Sequence, residues 1–206
     1  MAVALILLAA LASAAVQPPA DLLKAAEGGD AAAQEQLGEL YGKTVTTEEA
    51  EFVPAYLWLA KARVQYTSKA DAKTKAAALE ADKDLRMFGR YIPRDARDEA
   101  IKQAFPSAAA PEGVLEDRLR GLDSEEKEER YQAARDIKAL AEFRLIGDKR
   151  NAVVDKLLPL MKSKDHQMQL LALEAYQEIG RLKPVAPKPV VEPQAPPQPK
   201  PEENKQ

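Results

Sequence analysis

Residues 25–42 read AAEGGDAAAQEQLGELYG and residues 51–65 read EFVPAYLWLAKARVQ, and the spacing within these two stretches decides the fold. Gly28-Gly29-Asp30 interrupts an otherwise helical composition. Glycine tolerates the left-handed backbone that ends a helix, and an aspartate at position 30 accepts hydrogen bonds from the free N–H groups that begin the next one. From there Ala33, Leu37 and Tyr41 recur at four-residue steps, so they share one helical face. Ala55, Trp58, Leu59 and Ala62 repeat the rhythm in the second stretch. Their small members let two helix axes approach closely, while Tyr41 and Trp58 are expected to fill the space beside them as core residues. Pro54 fits in a first helical turn, where no backbone N–H is needed. A helical hairpin is predicted.

The rest of the chain agrees with helices. Over 206 residues, 46% are hydrophobic and 31% charged, while aromatics make up 5% and glycines number nine. That balance favours helices packed through Ala and Leu over sheets, and an all-α protein is predicted. A formal charge of −3, with Lys and Arg spread along the chain, removes the basic footprint that nucleic-acid binding needs. The absence of cysteine excludes disulfides, thiol catalysis, Cys-ligated zinc and iron–sulfur clusters together.

The two ends are read as lying outside the fold. Residues 2–16 form an uncharged apolar run, and Ala12-Ser13-Ala14 is the small-residue pattern after which a signal peptidase cuts. Residues 1–15 are expected to be a signal peptide, which places the protein in the periplasm or outside the cell. The run is shorter than the ~20 apolar residues of a membrane-spanning helix, so no stable span is expected once it is removed. Residues 183–206 hold Pro184, Pro187, Pro189, Pro193, Pro196, Pro197, Pro199 and Pro201 among Lys, Glu and Gln. Such a composition favours extended polyproline II over a packed core, and a disordered tail is expected.

Ala26, Gly29, Asp30, Ala33, Gln34, Leu37, Gly38 and Tyr41, followed by Ala55, Trp58 and Ala62, give residues 16–106 a pattern that resembles the Sel1-like repeat, a relative of the tetratricopeptide repeat. Residues 82–105 (DKDLRMFGRYIPRDARDEAIKQAF) look like the closing helices of such a region, with Pro93 opening the last one. Past Pro106 and the Ala-rich joint to Pro111 a second region, 111–182, begins. Val114, Leu115, Leu119 and Leu122 mark a short helix. Asp123 with Glu126 reads as a capping box ahead of a longer helix carrying Tyr131, Ala134, Ile137, Lys138 and Leu140. Val153, Val154, Leu157, Leu158 and Met161 mark a helix bent at Pro159, and Met168, Leu171, Ala172, Ala175 and Ile179 the last. Residues 151–180 (NAVVDKLLPLMKSKDHQMQLLALEAYQEIG) are similar to a HEAT repeat. Taken together the pattern implies a short α-solenoid of antiparallel helix pairs. With one Sel1-like unit and about two HEAT-like pairs, each half has too few units to stand alone, and stacking across residues 94–122 is expected; the competing picture is two lobes on a hinge at Pro106–Pro111.

Candidate chemistry is sparse. His166 is the sole histidine, with Asp165, Glu174 and Glu178 as helical neighbours, and reads as a capping or surface residue. Ser124 to Arg130 reads as a solvated helix start. Arg86, Arg90, Arg94 and Arg97 interleave with Asp82, Asp84, Asp95 and Asp98 and read as surface ion pairs. No catalytic, cofactor-binding or metal-ligating residue is singled out, and no cofactor is expected. The resemblances imply a non-catalytic adaptor that holds another protein or peptide on its helical surface. The alternative is an envelope spacer whose Pro-rich tail is the main contact.

Overall fold

The computed structural model describes residues 17–44, 52–68, 71–107 and 109–181. The expected signal peptide and Pro-rich tail lie outside the described residues. Within them the chain is all-α: α1 (Ala20–Glu27), α2 (Ala31–Thr44), α3 (Phe52–Thr67), α4 (Ala72–Gly89), α5 (Arg94–Ala104), α6 (Val114–Gly121), α7 (Lys127–Glu142), a 3-10 turn (Gly147–Lys149), α8 (Arg150–Leu160) and α9 (His166–Arg181). Gly29 takes φ +90°, and the Asp30 Oδ1 accepts from the N–H of Ala33 at 2.8 Å. The α1–α2 corner therefore forms as its composition requires. Pro54 sits in the first turn of α3, and Pro93 precedes α5.

The α2–α3 pair is close because Gly38 makes it so. A Cβ at that position would stand 2.5 Å from Leu59 Cγ. Leu37, Ala55, Leu59 and Ala62 are buried at the contact. Trp58 and Tyr41, expected in the core, are instead partly buried against a satellite cluster of Ala26, Ala33 and Leu37. Lys61 Nζ lies 4.5 Å from the Trp58 ring centroid. The α3 aromatic buried most completely is Tyr56, two residues earlier, at 1% exposed.

One hydrophobic cluster runs from Ala55 and Tyr56 of α3 through Leu85 and Phe88 of α4 to Ile137, Leu140, Leu157 and Ile179 in the second half. It passes through the Ala-Pro joint. Ala110 N–H donates to the Leu145 carbonyl at 3.1 Å, the Phe105 and Phe143 rings lie 5.8 Å apart, and Asp98 pairs with Arg144 at 2.5 Å. Phe143, Leu145 and Ile146, in the turn after α7, are fully buried there. The residues flanking the joint are thus packed on the second half.

Two details depart from expectation. The capping box of Asp123 and Glu126 does not form: Ser124 Oγ accepts from Glu126 N–H at 3.2 Å and donates to Glu129 at 2.6 Å, while Asp123 reaches Lys156 at 2.5 Å. The helix begins at Lys127, three residues later than that box supposes, and its N-cap residue Glu126 makes no side-chain capping bond. Leu158, read with the apolar face of α8, is 42% exposed. The helix ends at Leu160, one residue past Pro159.

Candidate functional site

Two regions stand out, and they differ in kind. The first is the junction between the halves. Arg63 is fully buried on α3. Its Nε donates to Asp82 Oδ1 at 2.6 Å and its Nη2 to Asp82 Oδ2 at 3.3 Å, and Nη2 also lies 2.9 Å from Asp136 Oδ1 on α7. Arg118 of α6 approaches the other Asp136 oxygen at 3.4 Å, and Gln132 Nε2 donates to Asp136 at 2.9 Å. Burial alone would weaken the Arg63 charge. Asp82 and Asp136 more than offset it, so the guanidinium is held above its ordinary value. Nearby, the Tyr56 hydroxyl donates to Glu142 at 3.1 Å. Burial first, then the Glu178 charge, pushes the Glu142 carboxyl upward against that hydrogen bond. These groups hold one another. Arg63 Nη1 and Arg118 Nε are buried without a protein acceptor, so desolvation offsets part of what these ion pairs contribute.

The second region is the end of the stack. Helix α9 buries Met168, Ala172, Ala175 and Ile179 against α7 and α8. Its other apolar residues, Leu170, Leu173 and Tyr176, are 48%, 37% and 36% exposed. Together with Met161, His166 and Gln169, the two leucines line a shallow pocket of about 260 Å³. Leu158 lies one turn before Met161 on α8. Apolar side chains gathered on one face of a terminal helix pair have no solvation reason to be there, and such patches mark contact surfaces.

A wider groove of about 460 Å³ runs between α1–α3 and the joint, lined by Lys61, Val64, Phe105 and Pro111 among others. Lys61 lines it, its ammonium held below the ordinary value by burial.

The residues singled out from sequence scatter. His166 is exposed at the start of α9, and Asp165, not His166, caps that helix, accepting from Gln167 and Met168 at 3.1 and 3.3 Å. Asp165 also receives the Tyr131 hydroxyl at 2.7 Å, whereas Glu174 pairs with Lys138 and Glu178 with Arg181. The arginine–aspartate stripe does not form: Asp82 goes to Arg63 and Asp98 to Arg144. The Ser124–Arg130 run is largely exposed, as expected of a solvated start. Sequence reasoning missed Arg63, Asp136 and Tyr56. Their signal was available: Arg63 four residues after Leu59, and Asp136 four before Leu140, are single charges set within apolar stripes. Among the described residues no helix is long and apolar enough to cross a membrane.

Compared with family models, curated proteins and solved structures, the chain matches none. The Sel1-like and HEAT-like resemblances therefore rest on the residues quoted for them.

Proposed function

We propose that this chain is a non-catalytic protein-interaction module, exported to the periplasm or beyond, that holds another protein or peptide on the apolar face of its last helix pair. The observation that carries the reading is the exposed set Leu170, Leu173 and Tyr176 on α9, beside the pocket at Met161 and His166. Its chemistry suits an apolar peptide or helix face: aliphatic and aromatic surface, a shallow recess, and a polar rim supplied by Gln169 and His166. The carboxylates of α9 are engaged with Lys138 and Arg181, which leaves the apolar stripe as its distinctive surface.

The test is capture by the full-length protein. Leu170→Ser with Leu173→Ser should abolish recovery of a partner that the parent protein retains, while Met87→Ser, which alters an equally exposed residue on α4, should leave recovery unchanged. Equal recovery by all three would remove the α9 face as the contact. Loss of the partner on deleting residues 184–206, with the α9 variants unaffected, would favour the spacer reading instead. Export is tested separately: the mature chain should begin at Ala15 or Val16, and intact Met1 on protein confined to the cytoplasm would contradict it.

A further inference from the structure

Resting on the contact face proposed above, we infer that this face takes a polyproline segment, and that residues 184–199 of the same chain are its resident occupant. Register is the first reason. Pro184, Pro187, Val190, Pro193, Pro196 and Pro199 recur at every third position. A polyproline II helix repeats every three residues at ~3.1 Å each, so these side chains form one straight apolar edge with a contact every ~9 Å. On α9, Leu170, Leu173 and Tyr176 follow one another at three-residue steps, each step advancing ~4.5 Å along the axis and ~60° around it, so at a side-chain radius of ~6 Å neighbours lie roughly 7–8 Å apart. Successive members of the edge fall on Leu170, Leu173 and Tyr176 in turn where it crosses the helix obliquely.

Connection is the second reason. The segment follows α9 almost directly, since that helix ends at Arg181. A chain that reverses at residues 182–183 runs back along α9 from Tyr176 toward Leu170 and the pocket at Met161. A tether this short supplies an effective concentration in roughly the millimolar range, so a weak contact suffices.

Area is the third reason. Leu170, Leu173 and Tyr176 are 48%, 37% and 36% exposed, and with such side chains at about 200 Å² each they offer roughly 240 Å² of apolar surface. A stable dimer needs ~800 Å² from each partner. The patch is too small for a second copy and matches one or two turns of polyproline. An outside partner then competes with the tail, and a partner that itself presents prolines at three-residue spacing displaces it.

The chain contains no cysteine, so Gln194→Cys places a single spin label in the tail of the full-length protein. The label should broaden the methyl signals of Leu170 and Leu173 and leave those of Leu22 and Leu23 on α1 sharp. Dilution should not change this, and replacing Pro184, Pro187, Pro193, Pro196 and Pro199 by serine should restore the α9 signals. Unbroadened Leu170 and Leu173 overturn the inference. Broadening passed from labelled to unlabelled molecules in a mixed sample overturns it too, by giving the face to a second copy. The parent reading fails differently, through unchanged partner capture by the Leu170→Ser/Leu173→Ser protein. With the tail seated as inferred, the serine-substituted tail increases partner capture; a decrease would contradict it.

Discussion

Helices α3 and α9 have the same length, 16 residues each, and both are rich in Leu and Ala, yet the fold treats them in opposite ways. Helix α3 packs against α2, α4, α5 and α7 and buries residues over more than half of its circumference, Tyr56, Arg63 and Tyr66 included, with Trp58, Lys61 and Gln65 on its open side. Helix α9 packs against α7 and α8 and buries a single stripe. A helix in the middle of a stack must accommodate most of the side chains it carries, so its arginine acquires two aspartates and its tyrosine a glutamate. A helix at the end is under no such constraint. The leucines it leaves outside therefore mark a surface available for contact.

The largest effect expected from this contrast is at the junction. Asp136→Ala leaves Arg63 fully buried with Asp82 alone, and urea unfolding should show a loss of ~3–5 kcal/mol. Glu178→Ala on α9 removes an ion pair with an exposed Arg181 and should cost less than ~0.5 kcal/mol. Comparable losses at the two sites would break the contrast.

Glycines give a second pair. Gly38→Ala pushes a Cβ to 2.5 Å from Leu59 Cγ and should destabilise by ~1–3 kcal/mol. Gly180→Ala near the end of α9 meets nothing within 4 Å and should stabilise by ~0.5–1 kcal/mol through lost chain entropy. Opposite signs in thermal melts are the expected result; a stabilised Gly38→Ala protein would mean that α2 and α3 are not in close contact.

A smaller effect concerns pH. Burial raises the Glu142 carboxyl above its ordinary value. The folded chain therefore takes up that proton more readily than the unfolded chain, and stability contributed by it is present at low pH and lost as pH rises through the raised value. Between neutrality and the ordinary glutamate range, acidification should raise the melting temperature, and Glu142→Gln should flatten that slope. Parallel slopes would place Glu142 in water. Smallest of all, Leu173→Ser should alter stability by no more than ~0.5 kcal/mol, because it exchanges a side chain already 37% exposed; a larger loss would make Leu173 a core residue.

What the sequence made legible follows the same division. Local signals were readable: the Gly-Gly-Asp corner, Pro54 and Pro93 at helix starts, and the stripe Met168, Ala172, Ala175, Ile179 on the last helix. These are set by neighbours three or four positions apart. The junction was not readable, because Arg63 meets Asp82 and Asp136 only after three helices have packed, and a charge within an apolar stripe does not say which carboxylate will answer it. Trp58 misled for a related reason. Its spacing on α3 was right, but which neighbours cover its ring is decided by how the helices pack, which spacing alone does not show. The exposed face of α9 carried a mixed signal: Leu170, Leu171 and Leu173 form an apolar run whose buried and exposed members periodicity alone does not separate.

The claim on which the rest depends is that the two halves share one core, so that the contact surface lies at the open end and not in a cleft between lobes. Native-state hydrogen exchange on the full-length chain, followed over rising denaturant, tests it directly. The account predicts that the amides of residues 59–64 in α3 and of residues 134–140 in α7 converge on one opening with the same free energy and the same denaturant dependence. Opening of α3 at a distinctly lower free energy, with α7 still protected, would contradict it and turn the Ala-Pro joint back into a hinge.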